Sequence, residues 1–367
     1  MKKILTITCH NVYNHGATLQ QLAMLEYLKS LNFDAKTINY KPSYLSNHYN
    51  LWAISNNKFQ KNIFLQLIYL TLKLPVRLIE RKRKTNFDAF EKKYLDILPK
   101  KFHNNLELKS NLPEADFYIT GSDQIWNSFF ENGKDPAFYL DFVPTNKIKI
   151  AYAASFAIDE FGENINDFVF DKVSRINNVS VRETSGLTIL EKLGITNAIQ
   201  VLDPVFLLDA DFWKNNFVQT INQNFIFVYD FDNNLEIKKT ALYLAKKHNL
   251  KIYSVNQNIN YTDKKYVFSA PNDFLSLIFN AKFVLSNSFH AVAFSLIFNK
   301  KFLVFNRSEK INTRMRDLLE NLNISHLLIN ENQKTDIETN NFDYKTINIL
   351  ISNKIKISKD FLLNALK

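Results

Sequence analysis

Residues 3–40 read KILTITCHNVYNHGATLQQLAMLEYLKSLNFDAKTINY, and this stretch decides the fold. It opens with a β-rich run, continues with Leu19, Leu22 and Leu28 at helical spacing, and ends in a second strand candidate, AKTINY. A strand, a loop, a helix and a strand in this order form a βαβ unit, which predicts parallel strands joined by a right-handed crossover. The loop HNVYNHG follows the first strand, and open α/β sheets bind ligands at that carboxyl end.

The same alternation of strands and helices recurs in the rest of the chain. ADFYITGSD, IKIAYAAS, NVSVRE and AIQVLD continue it in the first half, and FIFVYDF, KIYSV, KFVLSN and KFLVF alternate with helical segments in the second. This pattern predicts an α/β protein with two Rossmann-like, doubly wound domains. We place the domains at residues 1–203 and 204–345, and we expect a final helix in 346–367 that returns to the first domain.

Residues 56–101 interrupt this alternation with a basic amphipathic insert. Its apolar run NIFLQLIYLTLKLPVRLI ends in RKRK. The net charge of the protein is +10, and twelve basic against four acidic residues place about +8 of it between residues 58 and 101. The rest of the chain is nearly neutral. A basic footprint over the whole protein is therefore absent, and we expect no nucleic-acid partner.

The insert has two interpretations. An apolar stretch beside a basic cluster suits docking of residues 58–101 on an anionic membrane face, where lipid-linked glycans reside. A solvated pair of helices with an ordinary core face has the same spacing. Charged residues interrupt every apolar run before the ~20 residues that cross a bilayer, so we expect a soluble or peripheral protein.

Cysteine content and missing motifs narrow the class of protein. The single cysteine, Cys9, rules out a disulfide framework within one chain and favours the cytoplasm, as does a first segment that reads as a strand rather than a signal peptide. The histidines lack HxxxH and HxH spacing and CxxC is absent, so we expect no metal site. P-loop, GxSxG and GxGxxG motifs are absent as well.

The segment AKFVLSNSFHAVAFSLIFNKKFLVFNR (281–307) carries the clearest chemical signal. It predicts a strand that ends at Asn287, a helix that opens near Ser288, and His290 in the first turn of that helix. Free N–H groups and the positive end of the helix dipole attract phosphate or carboxylate. A bound anion would offset the dipole, which disfavours a cationic histidine, and His290 could then exchange a proton. The alternative is that His290 only caps or packs.

Two loops of the first half present polar or aromatic side chains. In HNVYNHGATLQ, Gly16 permits a tight turn and Asn14 lines the opening of a helix. In ITGSDQIWN, Asp123 follows a strand, and Trp126 could stack against a sugar ring. The alternatives are an ordinary βα loop, a helix cap at Asp123 and a core position for Trp126.

Arginines in both halves of the chain are candidates for binding anions. Arg182 leaves a buried strand in VSVRE, where burial favours an arginine that meets a carboxylate or phosphate. Its alternative is a structural pair with Glu183 or Asp203. Arg307 and Arg314 follow the strand KFLVF and add positive charge on the His290 side, with surface salt links as their alternative.

In order along the chain, these segments resemble the polysaccharide pyruvyl transferase family. The resemblance covers most of residues 1–320 and runs through NVYNHGATLQ, INYKP, ADFYITGSDQIWN, FYLDFV, KIAYAASF, SVRETSG, VLDPVFLL and DFLSLIFNAKFVLSNSFHAVAFSLIFNKKF. It implies a GT-B-like fold, with two Rossmann-like domains facing a cleft. It also implies transfer of pyruvate from phosphoenolpyruvate to a sugar as a ketal, with a lipid-linked oligosaccharide of bacterial capsule or exopolysaccharide synthesis as acceptor and no further cofactor.

The resemblance also assigns roles to the candidate residues. His290 becomes the proton-transfer residue, and the donor contacts are Arg182, Ser288 and Arg307. The acceptor sugar is expected to face Asn14, Gly16, Asp123 and Trp126. The chain departs from the family's common Asp-Ser-Phe-His-Gly at two positions, Asn287 and Ala291.

Two further functions remain compatible with these residues. A GT-B-like glycosyltransferase with a nucleotide-sugar donor would use the same fold, because a fold does not dictate function. The other is a non-catalytic, glycan-binding relative of the family, and the changes at Asn287 and Ala291 are compatible with it. In each case we expect a cytoplasmic protein, with peripheral association at the inner face of the cell membrane through the insert.

Overall fold

Two parallel β-sheets carry the fold in the computed structural model, which describes residues 1–45, 52, 54, 57–161, 165–308, 312–329 and 342–367. The strands of the first sheet are β1 (Lys3–Ile7), β2 (Asp34–Tyr40), β3 (Ile97–Phe102), β4 (Phe117–Thr120), β5 (Ile148–Ala154), β6 (Asn178–Val181) and β7 (Ile199–Gln200). Those of the second are β8 (Phe225–Tyr229), β9 (Lys251–Ser254), β10 (Lys264–Lys265), β11 (Phe283–Ser286), β12 (Lys301–Phe305) and β13 (Leu328–Ile329).

Helices connect the strands and cover both sheets. In the described ranges they are α1 (His15–Ser30), α2 (Ile63–Tyr94), α3 (Asn105–Ser110), α4 (Asn166–Val173), α5 (Thr184–Lys192), α6 (Ala210–Phe217), α7 (Leu235–His248), α8 (Pro271–Asn280), α9 (Phe289–Ile297), α10 (Thr313–Asn321) and α11 (Tyr344–Ala365).

The two sheets have the same topology. The first has the order β3-β2-β1-β4-β5-β6-β7 and the second the order β10-β9-β8-β11-β12-β13, and all their pairs are parallel. The direction of winding reverses between β1 and β4 and between β8 and β11. Such reversals leave a crevice at the carboxyl ends of the strands, which is where doubly wound sheets bind ligands. The prediction of two Rossmann-like α/β halves is confirmed.

Burial on both faces explains why the central strands are apolar without alternation. FYIT of β4, FIFVY of β8 and FVLS of β11 are buried at every residue, because helices cover both sides of each sheet. α1 is likewise buried almost all round, since it lies between the two halves. Its N-cap, Asn14, accepts hydrogen bonds from the amides of Gly16 and Ala17 and so starts the helix where the cleft begins.

The C-terminal helix contacts both halves. Near its start, the hydroxyl of Tyr344 donates to the carbonyl of Lys300 in the second half. Further along, Ser358 Oγ accepts the amide hydrogen of Leu202 at 2.9 Å, which ties the helix to the end of the first half. α11 therefore bridges the two sheets.

The insert differs from a pair of helices. Among its described residues, a 3₁₀ turn at Asn57–Phe59 precedes the 32-residue helix α2, which contains Pro75, and residues 97–102 form β3 at the edge of the first sheet. The region that follows Tyr94 thus belongs to the sheet, because LDILPKKF continues as an edge strand, where proline is tolerated. No helix in the described part of the chain combines the length and apolar character needed to cross a bilayer.

Candidate active site

A cleft with about 510 Å³ of empty space opens between the carboxyl edges of the two sheets. Both halves line the cleft: Asn14, Asp123 and Gln124 come from the first, and Asn287, Ser288, His290, Arg307 and Arg314 come from the second.

His290 lies in the first turn of α9, directly after β11, and it is 5% exposed. Its Nε2 atom is 3.6 Å from Oδ2 of Asp203, and it is buried without a hydrogen-bond partner among the described residues. Asp203 ends the first half of the chain, so the pair joins the two halves. A carboxylate this close to the imidazole is the arrangement found where a histidine transfers protons.

Asp203 is the most tightly held carboxylate of the site. It is fully buried, and its Oδ2 accepts from Arg182 at 2.5 Å and from Ser122 Oγ at 3.2 Å. Burial opposes its charge, but His290 and Arg182 outweigh burial and hold the pKa of Asp203 well below its usual value. Asp203 is therefore ionised and can balance a positive charge on His290.

Arg182 lies behind this pair rather than on the wall of the cleft. Its guanidinium, whose side chain is 2% exposed, pairs with Asp203 and with Asp123 Oδ1 at 3.4 Å, and it stacks over Phe289 at 4.4 Å. It lines a separate cavity together with Asp203 and Phe289. The alternative considered from the sequence, a structural pair with Asp203, is what the structure contains. Arg182 therefore positions Asp203, and its contact with the donor stays a prediction.

Arg314 of α10 occupies the place in the cleft that the sequence suggested for Arg182. It is 9% exposed, and its Nη1 lies 3.2 Å from Asp123 Oδ1. Its Nε is buried without a hydrogen-bond partner among the described atoms. Burial and the nearby charge of Arg182 lower the pKa of Arg314 to about 10, so the cation is incompletely compensated. An anion in the cleft would supply the missing charge.

Asp123 stands at the first-domain side of the cleft with a left-handed backbone, φ 70°. Burial opposes its ionisation, but Arg182 and Arg314 hold the pKa of Asp123 below its usual value. Both arginines contact the same oxygen, Oδ1. Asp123 is therefore an ionised hydrogen-bond acceptor.

The start of α9 and Arg307 complete the second-domain wall. Ser288 is the N-cap of α9 and its side chain makes no capping bond, while the first amides of a helix have no partners within that helix. Arg307 follows β12, stacks over Phe231 at 4.9 Å and lies 3.6 Å from Asp232. Helix amides and a guanidinium on one wall make this side suited to a phosphate.

Of the two departures from the family pattern, Asn287 has a structural explanation and Ala291 has none. Asn287 Nδ2 donates to Asp230 at 2.9 Å, and its Oδ1 accepts the amide hydrogen of Phe231 at 3.0 Å. An aspartate at 287 would place two carboxylates in contact, so asparagine is the matching partner of Asp230. Ala291 is fully buried within α9.

Gly16 leaves space for a neighbouring side chain and does not form a tight turn. The residues of its loop with positive φ are Asn11 and Tyr13, and Gly16 has no such value. A Cβ atom at Gly16 would lie 2.0 Å from Nδ1 of His290. The turn prediction is therefore wrong, and Gly16 lets α1 approach the histidine.

Trp126 cannot face a sugar. Its ring is fully buried, stacked on Tyr139 at 5.3 Å, and its Nε1 donates to the carbonyl of Phe138 at 3.0 Å. The prediction of a sugar-stacking role is wrong, because the chain after the strand turns this ring into the core. Its neighbour Gln124 lines the cleft instead.

Sequence reasoning did not assign roles to Asp203 and Arg314. Asp203 enters the sequence analysis only as a domain boundary and as a structural partner of Arg182, although an aspartate directly after a strand, in VLDP, is a detectable signal. Arg314 gave only a weak signal as part of a basic group. Across the described residues, no group of three or more His, Cys, Asp or Glu side chains could hold a metal ion.

Two doubly wound halves with a polar cleft, a buried His–Asp pair and arginines between them define a two-domain α/β protein with a site for an anionic ligand. The model of the family "Polysaccharide pyruvyl transferase" matches residues 14–309, which is most of the chain. The chain belongs to the polysaccharide pyruvyl transferase family and is an enzyme of this type.

Solved structures match almost the whole chain at low identity. UDP-GlcNAc 2-epimerase from Neisseria meningitidis bound to UDP-GlcNAc has a TM-score of 0.46 and 12% identity, over 99% of this chain and 100% of that chain. UDP-N-acetylglucosamine 2-epimerase from Rickettsia bellii has a TM-score of 0.39 and 13% identity, over 98% and 96%. An alpha-glucosyltransferase in complex with UDP-glucose and DNA has a TM-score of 0.43 and 8% identity, over 99% and 92%. The search of curated proteins found no match.

Proposed function

We propose that the protein transfers pyruvate from phosphoenolpyruvate to a sugar of a lipid-linked surface-polysaccharide precursor and forms a pyruvate ketal. The observation that carries this proposal is the meeting of His290, backed by Asp203, with Arg307 and Arg314 around one cleft. Phosphoenolpyruvate needs a proton donor for its methylene carbon and cations for its phosphate and carboxylate. This group of residues offers both.

The second-domain wall binds the donor. The amides at the start of α9, with Ser288, and the guanidinium of Arg307 take the phosphate. Arg314 takes the carboxylate, since it is a buried cation whose compensation by Asp123 is incomplete. Bound in this way, the methylene carbon faces His290.

His290 moves protons in both directions. Its imidazolium gives a proton to the methylene carbon while a sugar hydroxyl adds to the neighbouring carbon, and the imidazole then takes the proton of that hydroxyl. Next, the bond from this carbon to the phosphate oxygen breaks. A second hydroxyl of the same sugar closes the ketal, and its proton leaves with the phosphate. Asp203 balances the charge of the imidazolium throughout.

The first-domain wall receives the acceptor. Asn14, Asp123 and Gln124 present polar atoms to the cleft. Because both arginines occupy Oδ1 of Asp123, we expect its Oδ2 to accept a hydrogen bond from a sugar hydroxyl. Asp123 orients the acceptor, and its lowered pKa makes it a weak base.

The test is phosphate release from phosphoenolpyruvate with a panel of sugar acceptors, together with mass spectrometry of the product. We expect release that depends on the acceptor, and a product heavier by one pyruvate ketal. His290→Ala should lower the rate by about 10²–10⁴-fold, the usual contribution of a proton-transfer residue. His326→Ala, at an exposed histidine of the second half, is the matched control and should not change it.

Two results would overturn the proposal. Release of nucleotide from a nucleotide sugar, with no phosphate from phosphoenolpyruvate, would identify a glycosyltransferase. Binding of glycan without turnover of either donor would identify a non-catalytic relative.

A further inference from the structure

The first half of α2 leaves its apolar side chains in solvent. Eight of them between residues 63 and 78 are 43–74% exposed, and we call this group the α2 patch: Ile63, Phe64, Leu67, Ile68, Leu72, Leu74, Val76 and Leu78. Soluble proteins rarely expose a contiguous apolar patch of more than roughly a few hundred Å², and larger ones mark interaction surfaces.

Two long polar side chains of this stretch are buried while its apolar side chains are exposed. Tyr69 and Arg77, on the same stretch, are 8% and 7% exposed, and the guanidinium of Arg77 lies 5.7 Å from the ring of Tyr69. A surface helix of a soluble protein ordinarily buries its apolar stripe and exposes its charges. This half of α2 instead exposes most of its apolar side chains, so the patch is suited to meet an apolar partner.

Exposed positive charges surround the patch. Lys61 precedes it, Lys73 lies within it, and Arg81 and Lys82 follow it, all exposed. Between residues 57 and 87 the chain has eight basic residues and one acidic residue, Glu80. Apolar side chains bracketed by lysine and arginine are the pattern of helices that lie in the interface of an anionic bilayer.

The second half of α2 leads directly to the cleft. Arg83 donates to the carbonyl of Tyr13 at 3.2 Å, in the loop before α1. Asn86 Nδ2 donates to the carbonyl of Phe268 in the second half of the chain at 2.6 Å. From Leu72 to Arg83 the helix rises roughly 17 Å, so the patch and the cleft mouth are joined by one rigid element.

We propose that the α2 patch docks on an anionic phospholipid bilayer, with the helix in the plane of the interface, and holds the cleft next to membrane-anchored acceptors. The purpose of the docking rests on the proposed function, but the docking itself is a property of the helix. Apolar side chains enter the boundary of the acyl chains, and the basic residues contact the headgroups.

The experiment is flotation of the full-length protein with phosphatidylcholine vesicles that contain or lack phosphatidylglycerol. We expect binding to the anionic vesicles only, weakened by salt. A basic residue near such a surface strengthens binding roughly five-fold, so Lys61→Gln, Lys73→Gln and Arg81→Gln together should weaken it on the order of 100-fold. Phe64→Ser with Leu72→Ser should abolish it.

Matched controls change the same residue types elsewhere. Leu106→Ser and Leu235→Ser remove apolar side chains that are 72% and 67% exposed, and Lys239→Gln with Lys251→Gln removes two equally exposed lysines. None of these should alter flotation. All variants change exposed positions, and unchanged circular dichroism verifies their folding.

Three outcomes would overturn the docking proposal. The first two are absence of flotation by the wild type and equal binding to neutral and anionic vesicles. The third is a dimer, detected by light scattering, that the double variant Phe64→Ser with Leu72→Ser dissociates, because a second copy of the protein would then cover the patch. Phosphate release with a soluble acceptor separates the two proposals. Vesicle binding without such release defeats the proposed function alone, and release without vesicle binding defeats the docking alone.

Discussion

Replacement of Gly16 by alanine tests the closest contact of the site. The added Cβ would lie 2.0 Å from Nδ1, 2.2 Å from Cγ and 2.7 Å from Cε1 of His290. An ordinary contact begins at 3.4 Å, so the imidazole must move by about 1.4 Å. Misplacement of a catalytic group by about 1 Å can cost roughly 10²-fold in rate, and we expect a loss of that order in phosphate release.

The stability effect of Gly16→Ala has two opposing parts. Overpacking costs about 1–3 kcal/mol, whereas alanine favours a helix over glycine by up to about 1 kcal/mol. The net expectation is a loss of between about 0 and 3 kcal/mol in the free energy of unfolding, measured by denaturant titration. The backbone at Gly16 accepts alanine, so the loss comes from the imidazole alone.

A double-mutant cycle isolates that contact. In a His290→Ala background the clash is gone, so Gly16→Ala should become neutral or slightly stabilising. If Gly16→Ala retains wild-type activity and stability while His290 is present, or costs the same in both backgrounds, the inferred proximity of the two residues is refuted.

Three other changes probe the electrostatics of the protein. Asp203→Asn should lower kcat by at least about 10²-fold, because the carboxylate that balances the charge of the His290 imidazolium is gone. An unchanged kcat in steady-state kinetics would leave Asp203 a purely structural role. Arg314→Lys keeps the positive charge but loses the two parallel N–H donors of the guanidinium, so KM for phosphoenolpyruvate should rise about tenfold with a smaller change in kcat. An unchanged KM would exclude Arg314 from the donor site. Burial, with the charge of Asp88, raises the pKa of Glu91 to about 7 from 4.5, so the folded state binds the extra proton and stability falls as pH rises from about 4.5 to 7. Glu91→Gln should therefore raise the free energy of unfolding at pH 8 by up to about 3 kcal/mol and leave it unchanged near pH 4. Equal melting temperatures of the variant and the wild type at pH 8 would contradict this.

The local alternation of strands and helices was sufficient to predict the architecture. Apolar strands that alternate with helical segments require parallel pairing, and parallel pairing requires helices on both faces, so the two doubly wound halves could be predicted from the sequence. The position of His290 in the first turn of α9 was predictable for the same reason, since a strand that ends in Ser-Asn starts the following helix within a few residues. The amphipathic insert was visible, but its division into one helix and an edge strand was not.

Side-chain exposure was not predictable, because it depends on how the chain turns after each strand. Trp126 and Arg182 both follow buried strands of the first sheet, as active-site residues do, yet one is enclosed in the core and the other is covered by carboxylates. Gly16 was understood through its backbone, whereas the structure shows that its missing side chain makes room for His290.

The sequence by itself determined which residue types stand at the carboxyl edges of two parallel sheets. The tertiary structure alone decided which of them meet. Asp203 lies beside His290, and Arg314 reaches Asp123 from 191 residues away, because the two sheets face each other across the cleft. Charges this far apart along a chain come into contact only after folding, and burial away from water then strengthens the interaction between them. This interaction, rather than any local motif, pairs Arg182 with buried carboxylates and leaves Arg314 available to a ligand.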